Sequence, residues 1–417
     1  MPRIVIDPAL VERYVFELAE HGAYAATGVW RPAYSPAWQA AQRQLAAWFA
    51  QAGLSVRYDA AGNVWGRLAG QRGGPAIVTG SHIDTQQPGG RYDGALGVVA
   101  GLVALQAIFA QHGPPRRPIE VVSLCEEEGC RFPGTNFWAS RAILGLIDPA
   151  EYETLCDEDG ISIGAAMRGA GLNPEQLGTA RRDDLAAFLE LHIEQGPVLE
   201  HAGLPVGIVT GVTGLRQYVV EVRGSANHAG AFPMDLRRDA MAGAAAMIGE
   251  VIAAAAALGR PAVTTVGRIL AKPNYPAIIP ERVTFTVDVR HPEAQALAAL
   301  FARHEASFAR IAAECGLEVD WQITLDQPPS PADPALVELL EQAASARGTP
   351  FARLHSGAGH DSLMLARIAP MAMIFVQSKD GRSHTPAEFT AIDHAVAGIE
   401  ILADALYALA WSDQMTR

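Results

Sequence analysis

Cysteine is scarce in this sequence: Cys125, Cys130, Cys156 and Cys315 are the only four among 417 residues. They are too few and too scattered to staple so long a chain, which excludes a disulfide framework and leaves reduced thiols as the expectation. Positive charge is also short. Against 45 Asp and Glu stand 32 Lys and Arg, a net charge of -13 that repels a polyphosphate backbone, so nucleic acid is not an expected partner. The N-terminal stretch MPRIVIDPALVERYVFEL lacks the basic start, apolar run and small-residue cleavage site of a secretory signal, and a cytoplasmic location is expected. The alanine-rich stretch Met241 to Leu258 is interrupted by Glu250 and closed by Gly259-Arg260-Pro261, which suits a buried or half-buried helix and not a membrane span.

What the chain has in quantity is apolar material, 49% of its residues, enough for a packed core and, at this length, for two domains. Apolar residues recur at helical spacing from Pro8 to Ala52, and the segment from Val56 to Leu68 reads as two strands about a Gly62-Asn63 turn. The runs Ala76–Gly80, Ile119–Leu124, Phe188–His192 and Met371–Val376 read as buried strands, with Gly97–Gln111 as a crossover helix between the first two. That is α/β patterning. Residues 215 to about 330 repeat the alternation on a smaller scale: strand Tyr218–Val222, helix Arg238–Leu258, strands Val263–Leu270 and Val283–Arg290, helix Pro292–Cys315 and strand Leu317–Thr324. This order suits an α+β unit of ferredoxin-like kind, a four-stranded sheet with two helices on one face. The expectation is an α/β domain of residues 1–214 and 331–417 interrupted by an inserted domain of residues 215–330, with a cleft between them.

Several short patterns put His, Asp and Glu at strand ends, where an open α/β sheet presents its ligand site. After the first run comes Gly80-Ser81-His82-Ile83-Asp84, then Asp93 in the glycine-rich turn from Gly89 to Gly94. A strand-end imidazole can ligate zinc, with Asp84 placed to hold its other ring nitrogen, and Asp93 could bridge two ions. Cys125-Glu126-Glu127-Glu128 packs three carboxylates at the end of the second run. Such neighbours repel unless a cation neutralises them or one holds a proton; with a metal present, one carboxylate ligates while the next serves as general base. Further histidines stand in Glu190-Leu191-His192-Ile193-Glu194-Gln195, in Ala226-Asn227-His228 and in Arg382-Ser383-His384. Taken singly, each pattern also suits an ordinary polar turn or an exposed acidic loop. Together, His, Asp, Glu, His and His make the set expected for two zinc ions sharing a carboxylate.

In this order the motifs GSHIDT, GGRYDGALG, EEEGCRFPG, LELHIEQGPVLE, ANHAGAFPMDLRRDA, DVRHP, HSGAGHD and SHTPAE resemble the hydantoinase/carbamoylase family of amidohydrolases, within the wider clan of dinuclear-zinc peptidases and deacylases. The resemblance runs from about Arg31 to Trp411, and the HIEQGP and EEEGCRF segments separate this family from the rest of the clan. It implies a zinc-peptidase-like α/β catalytic domain with a lid or dimerisation insert, a homodimer, and two divalent ions per subunit, zinc first with manganese, cobalt or nickel as alternatives. By position, His82, Asp93 and His192 would hold one ion and Asp93, Glu128 and His384 the other. Glu127 would be the base, His228 the oxyanion donor supplied across the dimer interface, and Arg290 the fork that takes a substrate carboxylate. Gln195, Arg216 or Gln217, and His360 would add substrate contacts.

One departure is Ala277, within Pro273 to Pro280, where the family has a substrate-binding asparagine; alanine cannot make that hydrogen bond. The implied reaction is hydrolysis of the C–N bond of an N-carbamoyl-L-amino acid, with allantoate or ureidoglycolate as the alternative substrate and no membrane partner. Deacylation of an N-acyl amino acid is the rival from the peptidase side, against which the HIEQGP resemblance argues. A noncatalytic binding homologue is the rival from another class, and it is at odds with the retention of Glu127 and all five candidate ligands.

Overall fold

The computed structural model describes residues 3–411, so the expectations for residues 1–2 and 412–417 lie outside the described residues. The four apolar runs become the parallel centre of a sheet. Met371–Val376, Leu185–Ile193, Ala76–His82 and Ile119–Leu124 lie side by side in that order, each parallel to its neighbours. Their residues are buried almost throughout, which is why they read as continuous apolar runs and not as an alternation. Val64–Leu68 and Ser55–Tyr58 continue the sheet antiparallel on one side, and Val206–Val212 does so on the other, with Phe351–Ser356 paired to it. These last two strands went unread in the sequence. Val206–Val212 contains two glycines, and Phe351–Ser356 is only partly buried, so neither carries a clean apolar signal.

Helix Ala95–His112 carries the chain from Ala76–His82 to Ile119–Leu124 and packs against the sheet and against the helices Pro8–Ala19 and Ile392–Ala410. It is apolar all round from Ala95 to Leu105 because that stretch is buried on every side. By length and composition alone, this helix and Ala240–Leu258 could each cross a membrane; both pack against their own sheets. Capping residues fix helix ends: Ser35 accepts from the Trp38 N–H ahead of Pro36, and Asp333 accepts from Ala335 and Leu336 ahead of a helix closed by left-handed Gly348.

The chain clusters into two compact units, Gly211–Pro331 and the residues on either side of it. In the insert the strands run Val263–Thr265, Arg282–His291, Gly214–Arg223, Glu318–Gln327, and Ile269–Lys272 also pairs with Arg282–His291. The sheet has five strands where four were expected, because the strand read as Val263–Leu270 is broken: its two pieces pair with successive stretches of one partner. Helices Ala240–Leu258 and Ala294–Cys315 pack against the sheet around Tyr218, Val220, Phe285 and Phe308. Each such fully buried apolar side chain contributes roughly 1.5–3 kcal/mol. Arg282–His291 alternates buried with partly exposed residues, so the other face of this sheet is open.

Candidate metal centre

The C-terminal ends of the parallel strands converge on one place, as open α/β sheets require. Ala76–His82 ends on His82, Ile119–Leu124 runs into Cys125 and the three glutamates, and Leu185–Ile193 carries His192 next to its end. His384 lies in the loop beyond Met371–Val376. Asp93 sits just before helix Ala95–His112, next to left-handed Gly94 (φ +61°), where a Cβ would come within 2.4 Å of His82 Cε1. Glycine is required there on both counts.

Asp93 Oδ1 lies 3.6 Å from His82 Nε2 and 3.2 Å from His192 Nε2. Its Oδ2 lies 3.3 Å from His384 Nε2, which is itself 3.4 Å from Glu128 Oε1. All five residues nominated as ligands are thus together, as two groups of three that share Asp93. Glu127 Oε2 is 3.8 Å from His82 Nε2. A third group, Glu190 with His192 and His360, is also within ligating distance, but the Glu190 carboxylate already accepts from the Ser81 and Ser362 hydroxyls.

Whether these residues suit cations can be read from their protons. His82 Nδ1 lies 3.0 Å from the Asp84 carbonyl, and His192 Nδ1 lies 3.0 Å from the Ile193 carbonyl. A carbonyl only accepts, so each ring in its neutral form carries the proton on Nδ1 and leaves the lone pair on Nε2, which faces Asp93 in both cases and in His192 also accepts from the Gly94 N–H at 3.1 Å. Without a cation, a ring so placed faces the carboxylate best by taking up a second proton; with one, its lone pair is free to ligate. Moreover, Asp93 Oδ1 and Glu128 Oε1 are buried without a hydrogen-bond partner. Lone pairs and unpartnered anionic oxygens converging at one point fit divalent cations.

The electrostatics agree. Burial opposes a charged ring at His192, yet Asp93 pushes it up to about 9; His384, against the same burial penalty, is pushed to about 9 by Asp93 and Glu128. Burial and then Asp93 push Glu128 up to about 7, and burial, Glu128 and Asp361 hold Glu127 well above the usual carboxylate range. The cluster is short of positive charge.

Several placements differ from the sequence reading or were missed by it. Asp84 holds His82 through its backbone carbonyl, its Oδ1 standing 3.7 Å from the ring; the carboxylate accepts instead from the Glu127 and Glu128 N–H groups at 3.3 and 3.1 Å. Gln195, left-handed at φ +57°, donates from Nε2 to Asp93 Oδ2 at 2.9 Å. Glu126 and His384 are left-handed too, a concentration of backbone strain typical of functional sites. His360 Nε2 is 2.8 Å from Ser356 Oγ, and its ring stacks edge-on against His192 with centroids 4.5 Å apart. Gln86, which donates to Glu128 Oε2 at 2.8 Å, went unnoticed, as did Ser383 and Glu388 beside Asp93.

The remaining nominated residues belong to the insert. His228 Nδ1 accepts from the Gly230 and Ala231 N–H groups at 3.1 and 3.0 Å, which leaves the neutral ring's proton on Nε2 as a donor. Arg290 and Gln217 share the open face of the sheet, where both reach Asp288: Arg290 Nε at 2.9 Å from Oδ1, and Gln217 Nε2 at 2.8 Å from Oδ2. Arg216 is the next residue along the strand and points the other way, lying 4.5 Å over the Phe301 ring and pairing with Asp326 at 2.7 Å. Of the two alternatives, only Gln217 therefore shares a face with Arg290. Ala277 lies in an exposed stretch whose carbonyl accepts from the Ala229 N–H at 3.0 Å, next to His228.

Residues 78–408 match the model of Peptidase family M20/M25/M40. Allantoate amidohydrolase of Escherichia coli (strain K12) is 38% identical over 395 residues, covering 94% of this chain and 96% of that protein. N-carbamoyl-L-amino-acid amidohydrolase of Paenarthrobacter aurescens is 38% identical over 411 residues, covering 97% and 100%. The crystal structure of an amidase of the hydantoinase/carbamoylase family from Burkholderia multivorans matches with a TM-score of 0.91 at 36% identity, covering 99% and 100%.

Proposed function

The chain belongs to peptidase family M20/M25/M40, a metal-dependent hydrolase family, and from that premise we propose that it hydrolyses the C–N bond of an N-carbamoyl-L-amino acid or a related ureido acid. The observation that carries this reading is the pair of ligand groups sharing Asp93 with Glu127 beside them. Allantoate is the second substrate, because the relatives named for the two substrates are equally similar at 38% identity. Zinc is the favoured metal, with manganese, cobalt or nickel as alternatives.

His82, Asp93 and His192 would hold one cation, and Asp93, Glu128 and His384 the other. The chemistry such ions supply is Lewis acidity: they make water a nucleophile near neutral pH and draw electron density from a carbonyl. Glu127 would accept the proton of the attacking water and deliver it to the leaving nitrogen, its carboxylate standing 3.8 Å from the candidate ligand His82. His228 donates from Nε2 to the carbonyl oxygen as charge grows there, in this reading from the partner chain of a homodimer. Arg290 takes the substrate carboxylate in its planar fork, with Gln217 and Gln195 as further polar contacts.

The test is ammonia release by the metal-loaded protein from N-carbamoyl-L-amino acids, N-carbamoyl-β-alanine, allantoate, ureidoglycolate and N-acetyl amino acids, with chelation as control. Chelator-sensitive release from a carbamoyl or ureido acid is expected. Release from the N-acetyl compounds alone, or from none, would overturn the proposal.

A further inference from the structure

Glu388 is a buried carboxylate, with 3% of its surface exposed, yet it is no member of either ligand group. One of its oxygens, Oε1, accepts from the Tyr92 N–H at 2.8 Å and from the Asp93 N–H at 3.0 Å, across a sequence separation of 296 and 295 residues. The other, Oε2, lies 3.2 Å from Ser383 Oγ, whose one proton is donated to Asp93 Oδ2. The turn carrying Asp93 and the loop carrying His384 are therefore tied together twice, once through backbone and once through the Asp93 carboxylate.

The fit is close enough to dictate a glycine. A Cβ on Gly90 would stand 2.2 Å from both Glu388 Cδ and Oε1, so that position must be bare for the carboxylate to enter beneath the turn. Two charge-assisted hydrogen bonds from consecutive N–H groups fix the direction in which the Asp93 side chain leaves the backbone. Ser383 then fixes its rotation, because it holds Oδ2, the oxygen facing His384.

We propose that Glu388, acting with Ser383, is the positioning residue that holds Asp93 in the orientation needed to serve two cations at once. The inference rests on the proposed reading of Asp93 as the shared ligand. Because the clamp acts on a residue common to both groups, its loss weakens both sites together and not one selectively. Groups that orient metal ligands typically matter by about 10- to 100-fold in affinity.

The experiment is manganese(II) binding to the chelator-stripped full-length protein, read from the electron paramagnetic resonance signal of the free ion, with thermal melting alongside. Glu388→Ala should weaken both sites by about 10- to 100-fold and shrink the manganese-induced rise in melting temperature. Glu388→Gln keeps an oxygen for the two N–H groups and should recover much of the affinity. Gly90→Ala should reproduce the alanine variant, since its methyl group displaces the carboxylate. Asp93→Asn separates the two claims. If it binds two ions as tightly as wild type, the shared-ligand reading is wrong; if it loses them while Glu388→Ala stays within about twofold of wild type, the clamp is wrong. Should Glu388→Ala fail to fold, Ser383→Ala decides: weaker binding at both sites supports the clamp, and unchanged binding overturns it.

Discussion

Tyr218, Val220, Phe285 and Phe308 fill the inside of the insert, and among its described residues no carboxylate is buried. In the rest of the chain Asp84, Asp93, Glu126, Glu127, Glu190, Asp361 and Glu388 are all buried around a few histidines. The first interior gains its free energy chiefly from apolar burial. The second costs free energy to assemble, because desolvated like charges oppose one another until a cation offsets them. One unit is thus self-sufficient, while the other is completed by what it binds. The following predictions test that contrast.

The largest effect falls on the base. Glu127→Gln removes proton transfer while leaving every candidate ligand in place, so kcat should fall by about 10²- to 10⁴-fold with metal content unchanged. His384→Ala should lower metal content and turnover together. Metal loss in the glutamine variant would move Glu127 from base to ligand.

Next in size is metal removal. A cation present at about 1,000 times its Kd stabilises the state that binds it by about 4 kcal/mol. Chelation should accordingly speed amide hydrogen exchange in Ala76–His82 and Leu185–Ile193 and leave Arg282–His291 largely unaffected. Equal acceleration in both units would break the contrast.

The insert has its own titratable weak point. His304 is 1% exposed, hydrogen-bonded at 2.6 Å to the Tyr218 hydroxyl, and held neutral by burial and Arg303, with its pKa lowered to about 4. The unfolded chain takes up a proton near pH 6.5 that the folded insert refuses. Stability is therefore complete above pH 6.5 and declines as pH falls towards 4, by roughly 2–3 kcal/mol after allowance for solvent screening. Hydrogen exchange in the insert across that window should follow this course, and His304→Gln should flatten it.

The same contrast explains what could be read from the amino-acid sequence. The four parallel strands announced themselves because sheet residues buried on both faces must be apolar in succession, whereas Val206–Val212 and Phe351–Ser356 were hidden by glycine and partial exposure. The ligand residues were legible because their chemistry is carried by rare side-chain types at strand ends. Glu388 was not, although it lies four residues past His384 in a motif already singled out. Its partners are backbone N–H groups 295 and 296 residues away, which no local pattern encodes. The Asp84 contact failed to be read for a related reason: the atom that meets His82 is a carbonyl every residue possesses.

Strand register decides the smallest prediction. The choice between Arg216 and Gln217 needed the pairing of Asp288 with Gln217, which places Gln217 and Arg290 on one face and Arg216 on the other. If the insert contributes substrate binding and no part of the ion site, Arg290→Lys should raise KM by about 10-fold, since a point charge cannot replace a planar fork. Manganese affinity should not change. Arg216→Lys should leave KM within about twofold, because Arg216 lies on the helix face, away from Arg290 and Gln217. Steady-state kinetics of the two variants on whichever ureido acid proves to be the substrate makes the comparison directly. An equal rise in KM for both would mean that the effect travels through the stability of the insert, and Arg290 would lose its claim to the carboxylate.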